Sequence, residues 1–147
     1  MSETKNTSGI ITKIMHVHEF HEVFQIGNAT EIGIPEERDY MLRYNLIKEE
    51  TDEYLEACRK GDITEIADAL GDQLYIIFGT ILKHGLQHKI DEVFDEIHRS
   101  NMSKLDENGQ PVFREDGKIL KSNLYFKPNI KAVLERWFIL INLCKSV

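Results

Sequence analysis

Apolar positions along this 147-residue chain recur mostly three and four residues apart, the period of helices that bury one face. Val17, Phe20 and Phe24 keep that spacing and predict a first helix from about Ile14 to Gln25. GNATEIGIP then reads as a loop. Pro35 suits the first turn of a second helix, with Glu36, Glu37 and Asp39 where the helix dipole favours acids. Arg59 and Lys60 suit its end, and Gly61 is a stop. Asp62 with Glu65 reads as a capping box opening a third helix that ends near His84-Gly85. A fourth helix, about Gln87 to Met102, places Ile90, Val93, Phe94 and Ile97 on one face. Four helices with short connections predict an antiparallel four-helix bundle core, so the expected fold class is all-α.

The pattern then changes. KLDENGQPVFREDGKILKS carries Asn108-Gly109 and Asp116-Gly117, both turn signals. They predict a small hairpin or lid pairing Pro111–Arg114 with Lys118–Lys121. After Pro128, the positions Ile130, Val133, Leu134, Trp137, Phe138 and Ile141 predict a C-terminal helix. The expected organisation is a frayed N-terminus over residues 1–13 and a helical catalytic domain over 14–105. A basic hairpin over 106–127 and a terminal helix over 128–147 complete it.

Several acids interrupt the apolar faces. On the second helix, Leu42, Leu46, Glu50, Glu53 and Ala57 fall on one stripe. The third helix is apolar on nearly all sides, which predicts burial. Its acids Glu65, Asp68 and Asp72 then have to point inward or into a cleft. Like charges at such spacings cost a few tenths of a kcal/mol each even when exposed, and burying an unpaired carboxylate costs several kcal/mol. Arg43 and Lys48 are too few to neutralise five inward acids. A divalent cation would do so, and all-oxygen ligands favour Mg²⁺ or Mn²⁺ over zinc. The plainer reading gives Glu65 only a capping role and makes Glu49, Asp52 and Glu56 a solvated face.

Composition narrows the class. With 41% apolar and 29% charged residues, the chain is globular, and its length suffices for one domain with its own core. The net charge of −7 argues against general nucleic-acid binding. Residues 1–98 hold nine Lys/Arg against twenty Asp/Glu, whereas residues 99–131 hold seven against four. An acidic body is thus followed by a basic segment. Glu65, Asp68 and Asp72 interrupt the most apolar run, which excludes a simple membrane span. The N-terminus has no apolar signal core, and Cys58 and Cys144 read as reduced packing thiols, so a cytoplasmic location is expected.

Glu49-Glu50-x-x-Glu53 followed by Glu65-x-x-Asp68 resembles the EExxE…ExxD signature of the MazG-like all-α nucleoside triphosphate pyrophosphohydrolases. That group includes MazG, the dCTP pyrophosphatases, dimeric dUTPases and phosphoribosyl-ATP pyrophosphohydrolases. The resemblance spans about residues 14–105, with LIKEE leading into the first motif and GDQLYIIFGT following the second. It implies Mg²⁺-dependent cleavage between the α and β phosphates of a nucleotide, with housecleaning of dNTPs as the role. Carried over by motif, Glu50, Glu53, Glu65 and Asp68 are metal ligands and Glu49 a candidate base. Asp72 offers a second register in place of Asp68, and both stay open. Asn101-Met-Ser-Lys104 looks like an Asn/Lys pair that follows the fourth helix in many members. Lys104, Arg114, Lys118 and Lys121 are then candidate phosphate contacts, or an ordinary solvated hairpin. His21 and Phe24 are candidate base contacts, because an aromatic or His on the first helix serves so in related proteins.

Two other readings come from the residues. His16, His18 and His21 fit no H-E-x-x-H pattern and read as surface or boundary residues. Asp95-x-x-His98 is half of a di-iron motif, so a di-iron carboxylate oxidoreductase is one alternative and a non-catalytic helical binding module another. The apolar stripes outnumber what one small bundle can hide, which predicts a homodimer or homotetramer. The expected partner is a small-molecule nucleotide, without nucleic acid or membrane.

Overall fold

A computed structural model describes residues 9–136 of the chain. The fold is all-helical, with α1 over Ile10–Val23, α2 over Glu37–Lys60, α3 over Ile63–Lys83 and α4 over Ile90–Met102. Its backbone groups two compact units, one up to His88 and one from Lys89 onward.

In the first unit, the α2–α3 junction shows why the helices stop and start where they do. Gly61 sits in the left-handed region at φ 70°, and its N–H donates to the Cys58 carbonyl. The Asp62 N–H donates to the Ala57 carbonyl, completing a Schellman closure. The Asp62 carboxylate in turn accepts from the N–H groups of Thr64 and Glu65 and so caps α3. The expected reciprocal arm of the capping box is therefore taken by Ala57, and the Glu65 side chain is not needed there.

The two-residue turn makes α2 and α3 antiparallel. Arg43 of α2 donates from Nη2 to the Ile76 carbonyl at 2.6 Å and from Nε to the Thr80 hydroxyl at 3.1 Å. Further along, Gln73 Nε2 donates to the main-chain carbonyl of Glu50 at 3.1 Å. Helix α1 runs in the same direction as α3, with Phe20 edge-on to Tyr75 at 5.7 Å between centroids. Ile14 and Val17 of α1 are buried, as are Ile81 and Leu82 of α3. The α1–α2 loop lies across the C-terminal end of α3, where the Ala29 and Gly33 N–H groups donate to the carbonyls of Leu82 and His84. Gly85, at φ 68°, permits this: a Cβ there would stand 2.1 Å from the Glu31 carbonyl oxygen.

The expectation that α3 is buried on nearly all sides is not met. Its stripe facing α2 (Ile66, Ala69, Gln73, Ile76, Thr80) is half-buried or buried. Ile63, Leu70, Leu74 and Ile77 are exposed, because two neighbouring helices cover only two sides of a cylinder. Cys58 is likewise exposed on α2 rather than packed.

In the second unit, α4 buries a polar face. Glu96 accepts from the Asn129 main-chain N–H at 2.7 Å and pairs with Arg99. Ser100 Oγ donates to the Phe126 carbonyl at 2.8 Å, and the Arg99 guanidinium lies 4.3 Å from the Phe126 ring centroid. Phe94, expected on a buried face, is 64% exposed. The hairpin forms where the turns predicted it, with Phe113 bridged to Ile119 in antiparallel sense. Arg114 N–H donates to the Lys118 carbonyl at 2.8 Å, and Gly117 takes the left-handed position at φ 81°. A terminal helix starts at Ile130 behind an Asn129 side-chain cap and buries Val133. Trp137, Phe138, Ile141 and Cys144 lie outside the described residues.

Candidate functional site

The Gln73–Glu50 bond sets the level at which the two acidic helices face each other. With 50 opposite 73, antiparallel counting puts Asp72 beside position 51, Asp68 beside position 55 and Glu65 beside position 58. The level of Asp72 therefore falls between Glu50 and Glu53, and that of Asp68 two residues beyond Glu53. Glu65 stands about eight residues, or about 12 Å of helix axis, beyond Glu50. The acids form a strip along the α2–α3 seam rather than one knot.

Glu50 occupies the packed stripe of α2, seven residues from buried Arg43 and seven from buried Ala57. Its Oε2 is buried and has no hydrogen-bond partner among the described residues. Burial pushes its carboxyl above the usual carboxylate range, and the neighbouring charges of Glu53, Asp72, Glu49 and Asp68 push it further. Glu53, Glu65, Asp68 and Asp72 were expected to point inward and do not: all four are exposed, because the seam closes over one acid and the rest lie along its open edge. Glu49 is exposed, as its reading as part of a solvated face has it.

This donor set suits a hard divalent cation: every oxygen is a carboxylate, and one is desolvated without a partner. Among the described residues, however, no three His, Cys, Asp or Glu side chains converge closely enough to form a ready metal cage.

Residues missed by sequence reasoning are Arg43 and Gln73, polar side chains that cross the α2–α3 seam, as the Lys83–Asp39 pair at 3.5 Å also does. The signal was present, since each interrupts a stripe of otherwise small or apolar residues. His21, read as a surface or boundary residue and a base contact, is 2% exposed. Its Nδ1 is 2.6 Å from Asn28 Oδ1, and its Nε2 packs against Gly79. Burial lowers its pKa below the usual histidine value, with Arg43 and Lys83 adding to the effect against the Asn28 hydrogen bond. The ring is thus committed to the interior. Phe24 is exposed and stacks against Phe20 at 4.3 Å between centroids.

In the second unit, Lys104 Nζ donates to Asn101 Oδ1 at 2.7 Å, so the sequence pair is a spatial pair at the end of α4. Lys118 and Lys121 are exposed, and Lys121 Nζ lies 4.4 Å from the Tyr125 ring centroid. Arg114 is held by Asp116, with Nε donating to Oδ1 at 2.9 Å. Asp95 and His98 are exposed. A cleft of about 410 Å³, unforeseen in the sequence, is lined by Asn28, Ala29, Ile34, Asp39 and Lys83. Eleven residues of α2, or about 16 Å, separate Asp39 from Glu50, so it is distinct from the acidic strip.

Residues 17–101, more than half of the chain, match the family described as phosphoribosyl-ATP pyrophosphohydrolase. The chain is also 31% identical over 81 residues to an uncharacterized protein of Acanthamoeba polyphaga mimivirus. That match covers 55% of this chain and 29% of the viral protein's length.

Proposed function

This chain belongs to the phosphoribosyl-ATP pyrophosphohydrolase family, within the MazG-like all-α pyrophosphohydrolases, and on that premise we propose that it hydrolyses a nucleoside triphosphate between the α and β phosphates. The products are a nucleoside monophosphate and pyrophosphate, and the substrate class is a dNTP removed from the nucleotide pool. The observation that carries the reading is the buried, partnerless Glu50 Oε2 at the centre of an acidic strip. Such a carboxylate destabilises the fold by itself and becomes favourable when a cation satisfies it.

Glu50, Glu53, Asp68 and Asp72 would hold Mg²⁺, or Mn²⁺ in its place. Glu65 extends the strip along α3 beyond Asp68. Bound there, the cation supplies charge neutralisation for the phosphoanhydride oxygens. Glu49, exposed next to Glu50 in sequence, would take the proton of an attacking water. The family resemblance would assign phosphate contacts to Asn101, Lys104, Lys118 and Lys121, whose amide and ammonium groups suit phosphate oxygens. No covalent nucleophile is needed.

The exposed Ile63, Leu70, Leu74 and Ile77 recur at helical spacing and support a homodimer or homotetramer. Light scattering on the purified protein reads this directly, and a monomer at micromolar concentration removes it. No helix among the described residues is long and apolar enough to cross a membrane.

The activity is tested by a panel of ribo- and deoxyribonucleoside triphosphates with Mg²⁺, assayed for pyrophosphate. Release should be Mg²⁺-stimulated and lost in Glu53→Gln and in Asp68→Asn with the melting transition retained. Retained activity in both variants sinks the assignment.

A further inference from the structure

The Arg43 and Gln73 ties across the α2–α3 seam differ in what they hold. Arg43 clamps the end near the α1–α2 loop through Ile76 and Thr80. Gln73 reaches across from the residue next to Asp72 to the peptide that carries Glu50. On the packed stripe Ile66-Ala69-Gln73-Ile76, an aliphatic side chain would fill the same place without desolvating an amide. The amide adds one specific thing: it fixes the Glu50 main chain against α3 at the level of Asp72.

We propose that Gln73 is a positioning residue for the cation site, holding α2 and α3 in the register that lets Glu50 and Asp72 face one ion. A slip of one helical turn is about 5.4 Å, more than twice a Mg²⁺–oxygen bond, so loose register separates the ligands. Gln73 touches neither ion nor substrate and acts through the Glu50 backbone. The inference rests on reading the acidic strip as a metal site, and the experiment separates the two.

The experiment counts free Mn²⁺ by electron paramagnetic resonance during titration of the full chain with Mn²⁺ alone, alongside thermal melting in EDTA. The proteins are wild type, Glu50→Gln, Gln73→Met and Gln73→Leu; neither Gln73 variant can donate to the Glu50 carbonyl. Wild type should bind Mn²⁺ and Glu50→Gln should lose it. Gln73→Met should bind about tenfold more weakly, the size expected when a residue orienting a ligand is removed. Its melting temperature in EDTA should stay within about 2 °C of wild type, less than about 1 kcal/mol. Gln73→Leu provides the same comparison should the Met variant fold poorly.

Mn²⁺ affinity within about twofold of wild type in a folded Gln73 variant overturns the positioning role while leaving the metal site standing. Affinity and EDTA stability falling together in both variants also overturn it, since Gln73 then only holds the fold. Absence of Mn²⁺ binding by wild type overturns the metal site, and the Gln73 role with it.

Discussion

Glu50→Gln should invert the stability order of the protein depending on whether magnesium is present. In the metal-free state, Glu50 places a charge on a desolvated oxygen with no hydrogen-bond partner among the described residues, beside four other acids. Leaving a buried acceptor unsatisfied costs about 1–3 kcal/mol. Gln keeps the shape and some of the polar penalty but removes the charge, so a gain of about 1 kcal/mol is expected, about 3 °C in melting temperature. The sign with pH follows from the raised carboxyl. Its penalty is absent where Glu50 is protonated in both folded and unfolded chains, below the ordinary value of 4.5. It grows as pH rises from there through the elevated folded value and levels off above it. The advantage of Gln should therefore be larger at pH 7 than at pH 4, where it vanishes. With magnesium at about 100 times its dissociation constant, wild type gains about 2.7 kcal/mol and Gln gains little. Melts of both proteins in EDTA and in magnesium, each at pH 7 and pH 4, read all of this. A variant less stable than wild type in EDTA at pH 7 would refute the claim that Glu50 is held at a cost until a cation satisfies it.

Three further outcomes test the fold around the strip. Asp62→Ala removes the cap on the Thr64 and Glu65 N–H groups and should lower stability by about 1 kcal/mol, seen in urea midpoints at unchanged slope. Gly79→Ala places a Cβ 2.7 Å from Arg43 Nη2 and 2.9 Å from His21 Nε2. Arg43 is held by Ile76 and Thr80, so overpacking should cost about 1–3 kcal/mol, measured by denaturant unfolding. His21 has a folded pKa below its ordinary 6.5, so the unfolded chain takes up the proton first as pH falls. Stability should be level above that value and decline below it, by at most about 1.4 kcal/mol per pH unit. His21→Asn should flatten this component of the pH profile.

The helix ends and turns marked by a glycine or a capping acid were legible because their causes are local, whereas α1, without such a mark, starts at Ile10 rather than near Ile14. Gly61, Asp62, Gly109 and Gly117 each act within a few residues, and each stands where the turn and cap signals place it. Which faces are buried was less legible. The apolar character of α3 is spread all round the helix, while α1 and α2 cover only part of it. A residue pattern records apolar surface without recording its neighbour, so Leu70, Leu74 and Ile77 were expected inside and stand outside. The same limit misplaced part of the α2 stripe: Leu42 is exposed with Arg43 buried in its stead, and Glu53 is exposed, while Leu46, Glu50 and Ala57 lie on the covered side.

The recoverable signal was the polar residue on a packed stripe. His21 follows Ile14 and Val17 at helical spacing, Arg43 precedes Glu50 by two turns, and Gln73 sits between Ala69 and Ile76. Burial obliges each to find a partner, because a desolvated polar atom otherwise opposes folding by more than a single contact supplies. His21 has Asn28, Arg43 has Thr80 and Ile76, and Gln73 has the Glu50 carbonyl. Of these four polar residues, Glu50 alone keeps a buried oxygen with no partner among the described residues. The other acids of the strip lie in water and carry no such obligation, so their number says less than the place of this one. A cation would satisfy that oxygen, and Gln73 ties down the backbone from which Glu50 would meet it.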